Sequence, residues 1–109
     1  MALTYKVLGQ INPSALTETT LYTCPTYNQA IISNIIVCNQ GAFPSVIRIA
    51  VRPDAETVSA KHYIIYGATI AAFETKEFAL GVTIDAADIL TVYSSTANLS
   101  FNAFGVQIV

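Results

Sequence analysis

The chain has few charged residues for its length. Asp, Glu, Lys and Arg make up 11% of its 109 residues, whereas soluble domains usually devote about 25% of their residues to charge. None of the four occurs between Glu18 and Arg48, and none follows Asp88. Apolar residues make up 53% of the chain, and the mean hydropathy is +0.52. We therefore expect part of its surface to be covered by copies of the chain or by a larger assembly.

The chain also lacks the patterns that indicate nucleic-acid binding or membrane insertion. Its five basic residues are scattered and the formal net charge is −2, so no cationic face is available to neutralise phosphates. Ser, Thr, Asn or Gly interrupts the apolar stretches every few residues, whereas about 20 apolar residues are needed to cross a bilayer. The N-terminus, MALTYKVLGQ, has no apolar segment typical of a secretory leader. We expect neither nucleic acid nor a membrane among the partners.

Cysteine and histidine are too few for a zinc site of the usual kind. Cys24 and Cys38 are the only cysteines, and His62 is the only histidine. Structural zinc sites use four ligands, commonly in paired spacing, so no metal and no cofactor is predicted. Both cysteines lie in apolar segments, which predicts buried, reduced thiols. A disulfide between them is the alternative, because it depends on a distance that the sequence does not give.

Helical periodicity is missing too, and strand signals recur about every 8 to 12 residues. The segment QAIISNIIVC, residues 29–38, is rich in β-branched residues and is predicted to be a strand buried on both faces. Alternation over residues 45–51 predicts a strand from which Arg48 points outward. Further strands are predicted over residues 20–24, 61–66, 76–80, 89–93 and 99–109. The fold prediction is all-β: a single compact antiparallel β-sandwich, jelly-roll-like, with about eight strands.

Residues 1–19 differ from the rest of the chain. Gly9 and Pro13 interrupt them, and their hydrophobic residues are isolated. We predict an extended N-terminal arm, with a possible short strand over residues 5–8, ahead of a sandwich domain at residues 20–109. The arm, residues 2–17, is expected to dock on a neighbouring subunit and to be dispensable for folding. Its docking residues would be Leu8, Ile11 and Leu16.

The polar side chains do not form a pattern typical of an enzyme. His62 alternates with apolar neighbours in KHYIIY, which favours a surface or interface position over a catalytic base. Asp85 and Asp88 flank a short polar corner, where carboxylates commonly accept hydrogen bonds from backbone amides. A Ca²⁺ site is the alternative, but it would require six or more oxygen ligands. The protein is therefore predicted not to be an enzyme.

The tyrosines allow two interpretations. Tyr63 and Tyr66, with Tyr93 and Tyr22, could form an aromatic face that stacks on sugar rings. They could also lie half-buried at a subunit contact, where Tyr is enriched, or in the core, and contact or core is the favoured interpretation. The interface residues predicted from the sequence are Leu8, Ile11, Leu16, His62, Tyr63 and Tyr66.

Three segments carry a resemblance to a known group of proteins. They are SNIIVCN at residues 33–39, DILTVYSS at residues 88–95 and SFNAFG at residues 100–105. In these, and more loosely over residues 17–108, the chain resembles small β-sandwich structural proteins of tailed phages, especially those of cyanobacterial hosts. Relatives often have Gly before the corner aspartate, where this chain has Ala87.

The resemblance implies a virion component assembled in the host cytoplasm, most plausibly a capsid decoration or cement protein. Such a protein would associate with itself and contact the major capsid protein. A homotrimer is expected because capsid lattices offer three-fold positions. A tail-associated module that binds a receptor or carbohydrate is the alternative, and the number of copies in each virion would distinguish the two.

Overall fold

Alternation of apolar and polar residues directs most of the chain into strands. The computed structural model describes residues 2–109. The strands in this range are β1 (Leu3–Ile11), β2 (Thr19–Thr23), β3 (Gln29–Asn39), β4 (Ser45–Arg52), β5 (Tyr63–Ile70), β6 (Thr75–Phe78), β7 (Val82–Ile84), β8 (Ile89–Ser94) and β9 (Leu99–Ile108). Two short 3-10 turns, Pro53–Ala55 and Ala60–His62, connect β4 to β5. No helix within residues 2–109 is long and apolar enough to cross a membrane.

The strands form two antiparallel sheets in the order of a jelly roll. The first sheet runs β1-β9-β3-β6, and β7 pairs with β3 beyond the end of β6. The second sheet runs β2-β8-β4-β5. When β6 and β7 are counted as one interrupted strand, eight strands remain, and successive strands change sheet except for β4 and β5, which are neighbours in the second sheet. This is the connectivity of a jelly roll. The predicted all-β sandwich is confirmed.

The core lies between the inner faces of the two sheets. Each strand contributes every second side chain to this layer, because successive residues of a strand point to opposite faces. The fully buried residues come from both sheets: Ile32, Ile35, Val37 and Phe101 from the first, and Ile47, Ile49, Leu90 and Val92 from the second. Burial of about ten large apolar side chains, each worth about 1.5–3 kcal/mol, provides most of the driving force for folding.

The N-terminal segment does not form a separate arm, which corrects the sequence prediction. Strand β1 covers nine residues and pairs with β9 from Leu3 to Ile11. A bulge between Val7 and Gly9 turns Leu8 into the core, where it is buried. The alternation of β1 is irregular at this bulge and its outer face is exposed, so the sequence pattern alone does not identify it as part of the sandwich. Only the loop from residue 12 to residue 18 remains outside the sheets in this region.

Two other strands differ from their predictions. Strand β3 is buried on one face only, and Ile31 and Ile36 on its other face are half-buried. Strand β5 begins at Tyr63 and continues beyond Gly67 to Ile70. Gly67 has a φ of 83° and lies at a register shift between β4 and β5, so it forms a bulge and does not end the strand.

Candidate functional site

The outer face of the first sheet carries an apolar ladder. Residues that pair directly across antiparallel strands point to the same face, and three apolar pairs join β1 to β9: Leu3 with Ile108, Tyr5 with Val106, and Val7 with Phe104. We call these six residues the β1–β9 face. Leu3 is 52% exposed, Tyr5 78% and Val7 44%, while the three β9 residues are half-buried. The ladder contains no charged residue, and nothing within residues 2–109 covers it.

The three arm residues predicted to dock elsewhere have different positions. Leu8 is buried in the core, and Ile11 packs against the core from the end of β1. Leu8 is therefore not available to a neighbouring subunit, whereas Ile11 is only half-buried. Leu16 is exposed in the loop after β1, with a φ of 58°, and its amide donates to the carbonyl of Ser94. Of the three, Leu16 is the most exposed, and its role in an interface stays a prediction.

Two exposed phenylalanines lie at one end of the sandwich. Phe43, in the loop after β3, and Phe73, in the loop after β5, are both highly exposed, and we call them the aromatic tip. The Phe73 amide donates to the Gly41 carbonyl at 3.2 Å, which joins the two loops. The buried Asn39 side chain lies beneath them, and its Nδ2 donates to the Phe43 carbonyl at 2.9 Å and to the Ala71 carbonyl at 3.2 Å. The tip is thus held by a buried polar side chain and is not a loose loop end.

The outer face of the second sheet carries an arginine between tyrosines. Arg48 of β4 pairs with Tyr93 of β8 on one side and Tyr66 of β5 on the other. Its Cζ lies 4.3 Å from the centre of the Tyr93 ring and 4.5 Å from that of Tyr66, so it makes cation–π contacts with both. Tyr63 meets the Tyr66 ring edge to face, with centroids 5.1 Å apart. The outward orientation predicted for Arg48 is confirmed.

The four tyrosines of the predicted aromatic face divide between the surface and the core. Tyr63, Tyr66 and Tyr93 come together around Arg48, whereas Tyr22 is buried in the core. Burial, with the nearby Cys24, raises the pKa of Tyr22 to about 12. Sequence reasoning did not identify Arg48 as the residue that joins these tyrosines, because the pairing of β4 with both β5 and β8 is a long-range feature.

His62 is buried within its own chain, which corrects the surface position that its sequence pattern predicts. It closes the Ala60–His62 turn, where its Nδ1 accepts from the Ser59 amide at 3.0 Å. Its Nε2 lies 3.0 Å from Glu56 Oε1. The hydrogen bond to His62, with the charge of Lys61, lowers the pKa of the Glu56 carboxyl. His62 therefore anchors the connection from residue 53 to residue 62, which folds beside the outer face of the second sheet.

The carboxylates of Asp85 and Asp88 hold the corner before β8. Asp88 Oδ2 accepts from the Asp85 amide at 2.8 Å, and Asp88 Oδ1 accepts from the Asp54 amide at 2.9 Å. Asp85 Oδ1 accepts from the Ala86 amide at 2.8 Å. The predicted turn role of both carboxylates is confirmed by these hydrogen bonds. Ala87 has a φ of 70°, the left-handed region that explains a preference for glycine at this position.

Replacing Asp88 with Ala should lower the free energy of unfolding by about 1–2 kcal/mol, because two backbone amides lose a charged acceptor. Asp85→Ala is the matched control and removes one such bond, so its effect should be smaller. Urea denaturation followed by circular dichroism measures both. Equal effects of the two variants would contradict the special role of Asp88 in joining the corner to the loop at Asp54. Stabilisation of the original protein by several degrees in millimolar Ca²⁺ would contradict the turn assignment.

The two cysteines are free and lie in different environments. Cys24 is buried, and burial raises the pKa of its thiol. Cys38 is only half-buried, on the outer side of β3, which corrects the prediction that both are buried. No disulfide joins them. Neither thiol has the electropositive, exposed surroundings of a reactive cysteine.

Comparisons with known proteins show a shared fold at low sequence identity. No family model matches the chain, and no curated protein matches it. A chain in the acidic stable capsid structure of Helicobacter pylori bacteriophage KHP30 is 13% identical with a TM-score of 0.51, over 99% of this chain and 92% of that one. A chain of infectious bursal disease virus, Gx strain, is 11% identical with a TM-score of 0.55, over 97% of this chain and 32% of that one. Identities this low establish the fold alone.

Proposed function

We propose that the protein is a non-enzymatic structural component of a phage virion, a capsid decoration or cement protein. The observation that carries this proposal is the uncharged, uncovered β1–β9 face on a jelly-roll fold. A monomer that exposed this ladder would retain an apolar patch of the kind that marks protein–protein contacts. Jelly rolls are common in viral capsid proteins, and the likeness to a phage capsid chain over nearly its full length supports the same role.

The occupant of the β1–β9 face is a second copy of this chain. The ladder has no charge to be matched by an oppositely charged partner, so its best complement is an equally uncharged surface. The molecule measures 45 × 27 × 19 Å, so a whole broad face is on the order of 1,000 Å², and an interface of roughly 800 Å² per partner would extend from the ladder over the neighbouring strand β3. Three copies on a three-fold position of the capsid lattice would form a homotrimer if the face of each copy lies towards the axis and contacts both neighbours, and this arrangement completes the proposal.

Contact with the major capsid protein is assigned to the aromatic tip. Phe43 and Phe73 project from one end of the sandwich, away from the ladder on β1 and β9, so both contacts can form at once. Aromatic side chains on a fixed support lose little entropy on binding and often dominate interface energies. Leu16, exposed in the loop after β1, is a further candidate for such a contact.

Introducing a charge into the β1–β9 face should abolish self-association. Val7→Glu places a carboxylate in the ladder on a residue that is 44% exposed, so the monomer should fold, whereas burial of the unpaired charge in an interface is costly. Light scattering after size exclusion should show the original protein as an oligomer and the variant as a monomer. Val46→Glu is the matched control, because Val46 is 39% exposed on the opposite sheet.

The capsid role is tested separately. Purified protein should bind in many copies to capsids that lack it and raise the temperature at which they rupture, and Phe43→Ala with Phe73→Ala should weaken this binding. A native monomer at tens of micromolar, or equal effects of Val7→Glu and Val46→Glu, would overturn the self-association. Failure to bind capsids would overturn the cement assignment.

A tail-associated, receptor-binding role is the second candidate, and the tyrosine cluster around Arg48 favours it. Copy number separates the two roles: hundreds of copies in each virion indicate the capsid, and a few indicate the tail. Quantitative mass spectrometry of purified virions gives this number.

A further inference from the structure

A cleft opens beside Arg48 on the outer face of the second sheet. Its volume is about 530 Å³ and it is lined by Arg48, Ser59, Ala60, Tyr63 and Tyr66, within the usual range of small-molecule sites. Ser59 and Ala60 belong to the connection that His62 and Glu56 anchor. One wall is therefore a hydrogen-bonded turn and the other a β-sheet, so the cleft is formed before any ligand arrives.

The charge of Arg48 is not neutralised within residues 2–109. No carboxylate lies within the 4.0 Å of an ion pair, since the ion pairs among these residues involve other cations. The Nε of Arg48 is buried and has no hydrogen-bond partner. The rings of Tyr66 and Tyr93 both lie within 4.5 Å of its Cζ, so stacking on tyrosine takes the place of a counter-ion. The edge of a guanidinium is the part that forms paired hydrogen bonds with a planar carboxylate.

The surroundings of Arg48 combine apolar rings with hydrogen-bonding groups. Tyr66 is 65% exposed and presents its ring to the cleft, while Tyr63 and Ser59 contribute hydroxyl groups to its lining. Glu18 lies close enough to Tyr63 to raise its pKa further, after the larger effect of burial, and Arg48 acts in the opposite direction. Glu18 also accepts a hydrogen bond from Thr91 at 3.1 Å. One carboxylate acceptor and one cationic donor therefore flank Tyr63.

We propose that this cleft binds an acidic saccharide, with a uronic-acid carboxylate on Arg48, the sugar ring against Tyr66, and sugar hydroxyls on Tyr63 and Ser59. A uronic acid satisfies the three features of the cleft at once: the unpaired cation, the exposed aromatic surface and the hydroxyl groups beside them. A phosphate or a short carboxylate would leave Tyr66 uncovered. An acidic peptide would supply a carboxylate to Arg48 but no sugar ring to lie against Tyr66. The inference is independent of the capsid role, because the cleft and the β1–β9 face lie on opposite sheets.

The probe is a tetrasaccharide of galacturonate, and its methyl ester is the matched neutral ligand. Because the chain has no Trp and six Tyr, and two of these tyrosines line the cleft, tyrosine fluorescence reports on binding, and calorimetry gives the affinity. The acid should bind in a saturable manner and at least ten-fold more tightly than the ester. Arg48→Gln and Tyr66→Ala should each weaken binding of the acid at least ten-fold. Arg48→Lys should recover only part of the loss, because it restores the charge without the planar edge.

Lys6→Gln is the control variant, since it removes one positive charge from the other sheet and should leave the affinity unchanged. Circular dichroism verifies that each variant is folded, and Tyr66→Ala alters a largely exposed side chain while leaving the charge of Arg48 in place. Equal binding of acid and ester, or native affinity in Arg48→Gln, would overturn the proposal. If acetate at the same concentration displaces the saccharide, the cleft is a simple anion site and the proposal is overturned. Binding of a Glu-rich peptide but not of the saccharide would make it a protein contact.

Discussion

Deletion of residues 2–11 should unfold the protein. The deletion removes β1, whose pairing with β9 extends from Leu3 to Ile11, and it takes Leu8 out of the core. Loss of one buried leucine costs about 2–5 kcal/mol, and the lost pairing leaves β9 as an exposed edge strand. Since domains of this size are stable by only about 5–15 kcal/mol, the truncated chain should lose its circular dichroism signal for strands and aggregate through the new edge.

The matched control lies in the loop that follows β1. Leu16 is exposed and has a φ of 58°, so Leu16→Gly should leave stability unchanged or raise it by less than about 1 kcal/mol, because glycine adopts this conformation without strain. If the protein without residues 2–11 is soluble and folds cooperatively, the sequence prediction of an independent N-terminal arm would be supported instead. It would also show that β1 contributes little to the sandwich.

Gly105→Ala should lower the free energy of unfolding by about 3 kcal/mol or more, at the upper end of what overpacking costs. Gly105 pairs with Ile32 on β3 and with Lys6 on β1. A Cβ at this position would overlap the backbone carbonyl of Ile31, and a backbone cannot move aside as a side chain can. Either β9 or β3 must shift, and both lie in the middle of the first sheet. The midpoint of thermal unfolding should fall by about 10 °C or more.

Gly67→Ala is the control that separates steric overlap from backbone strain. Nothing lies within 4 Å of a Cβ at Gly67, but its φ is +83°, so the substitution should cost about 1–2 kcal/mol through conformation alone. Gly105 does not have a positive φ, so the stability lost in Gly105→Ala comes from steric overlap. Thermal unfolding of the two variants measures the difference. A smaller loss at Gly105 than at Gly67 would show that β3 and β9 separate easily.

Several features of the fold could be predicted from local patterns. Alternation over β4 places Arg48 outward, and the spacing of Asp85 and Asp88 predicts carboxylates that accept backbone amides, as the hydrogen bonds confirm. These predictions succeed because a strand or a turn is specified by residues close in sequence. The candidate site is harder to predict, because its residues lie far apart in the sequence. Arg48 contacts Tyr93 and Tyr66 only through long-range strand pairing.

The sequence predictions for Leu8 and His62 were wrong for the same physical reason. The irregular hydrophobic pattern around Leu8 looks like an arm, since the sequence does not show that a bulge turns this residue into a core formed mostly by later strands. His62 looks like a strand surface residue, since its hydrogen bonds to Ser59 and Glu56 form only when the connection folds into a turn. In both cases the position of a side chain depends on its partners.

The sequence by itself determined an all-β domain with little charge, the approximate positions of most strands, and the polar corner at Asp85 and Asp88. These follow from composition and from period-two alternation, which each segment carries on its own. Tertiary structure alone decided the strand order and the membership of β1 in the first sheet. It also decided the apolar ladder on β1 and β9 and the clustering of three tyrosines around Arg48. The physical reason is that strand pairing and register are set by contacts between segments that are distant in the sequence. A short segment by itself does not determine which strand it pairs with.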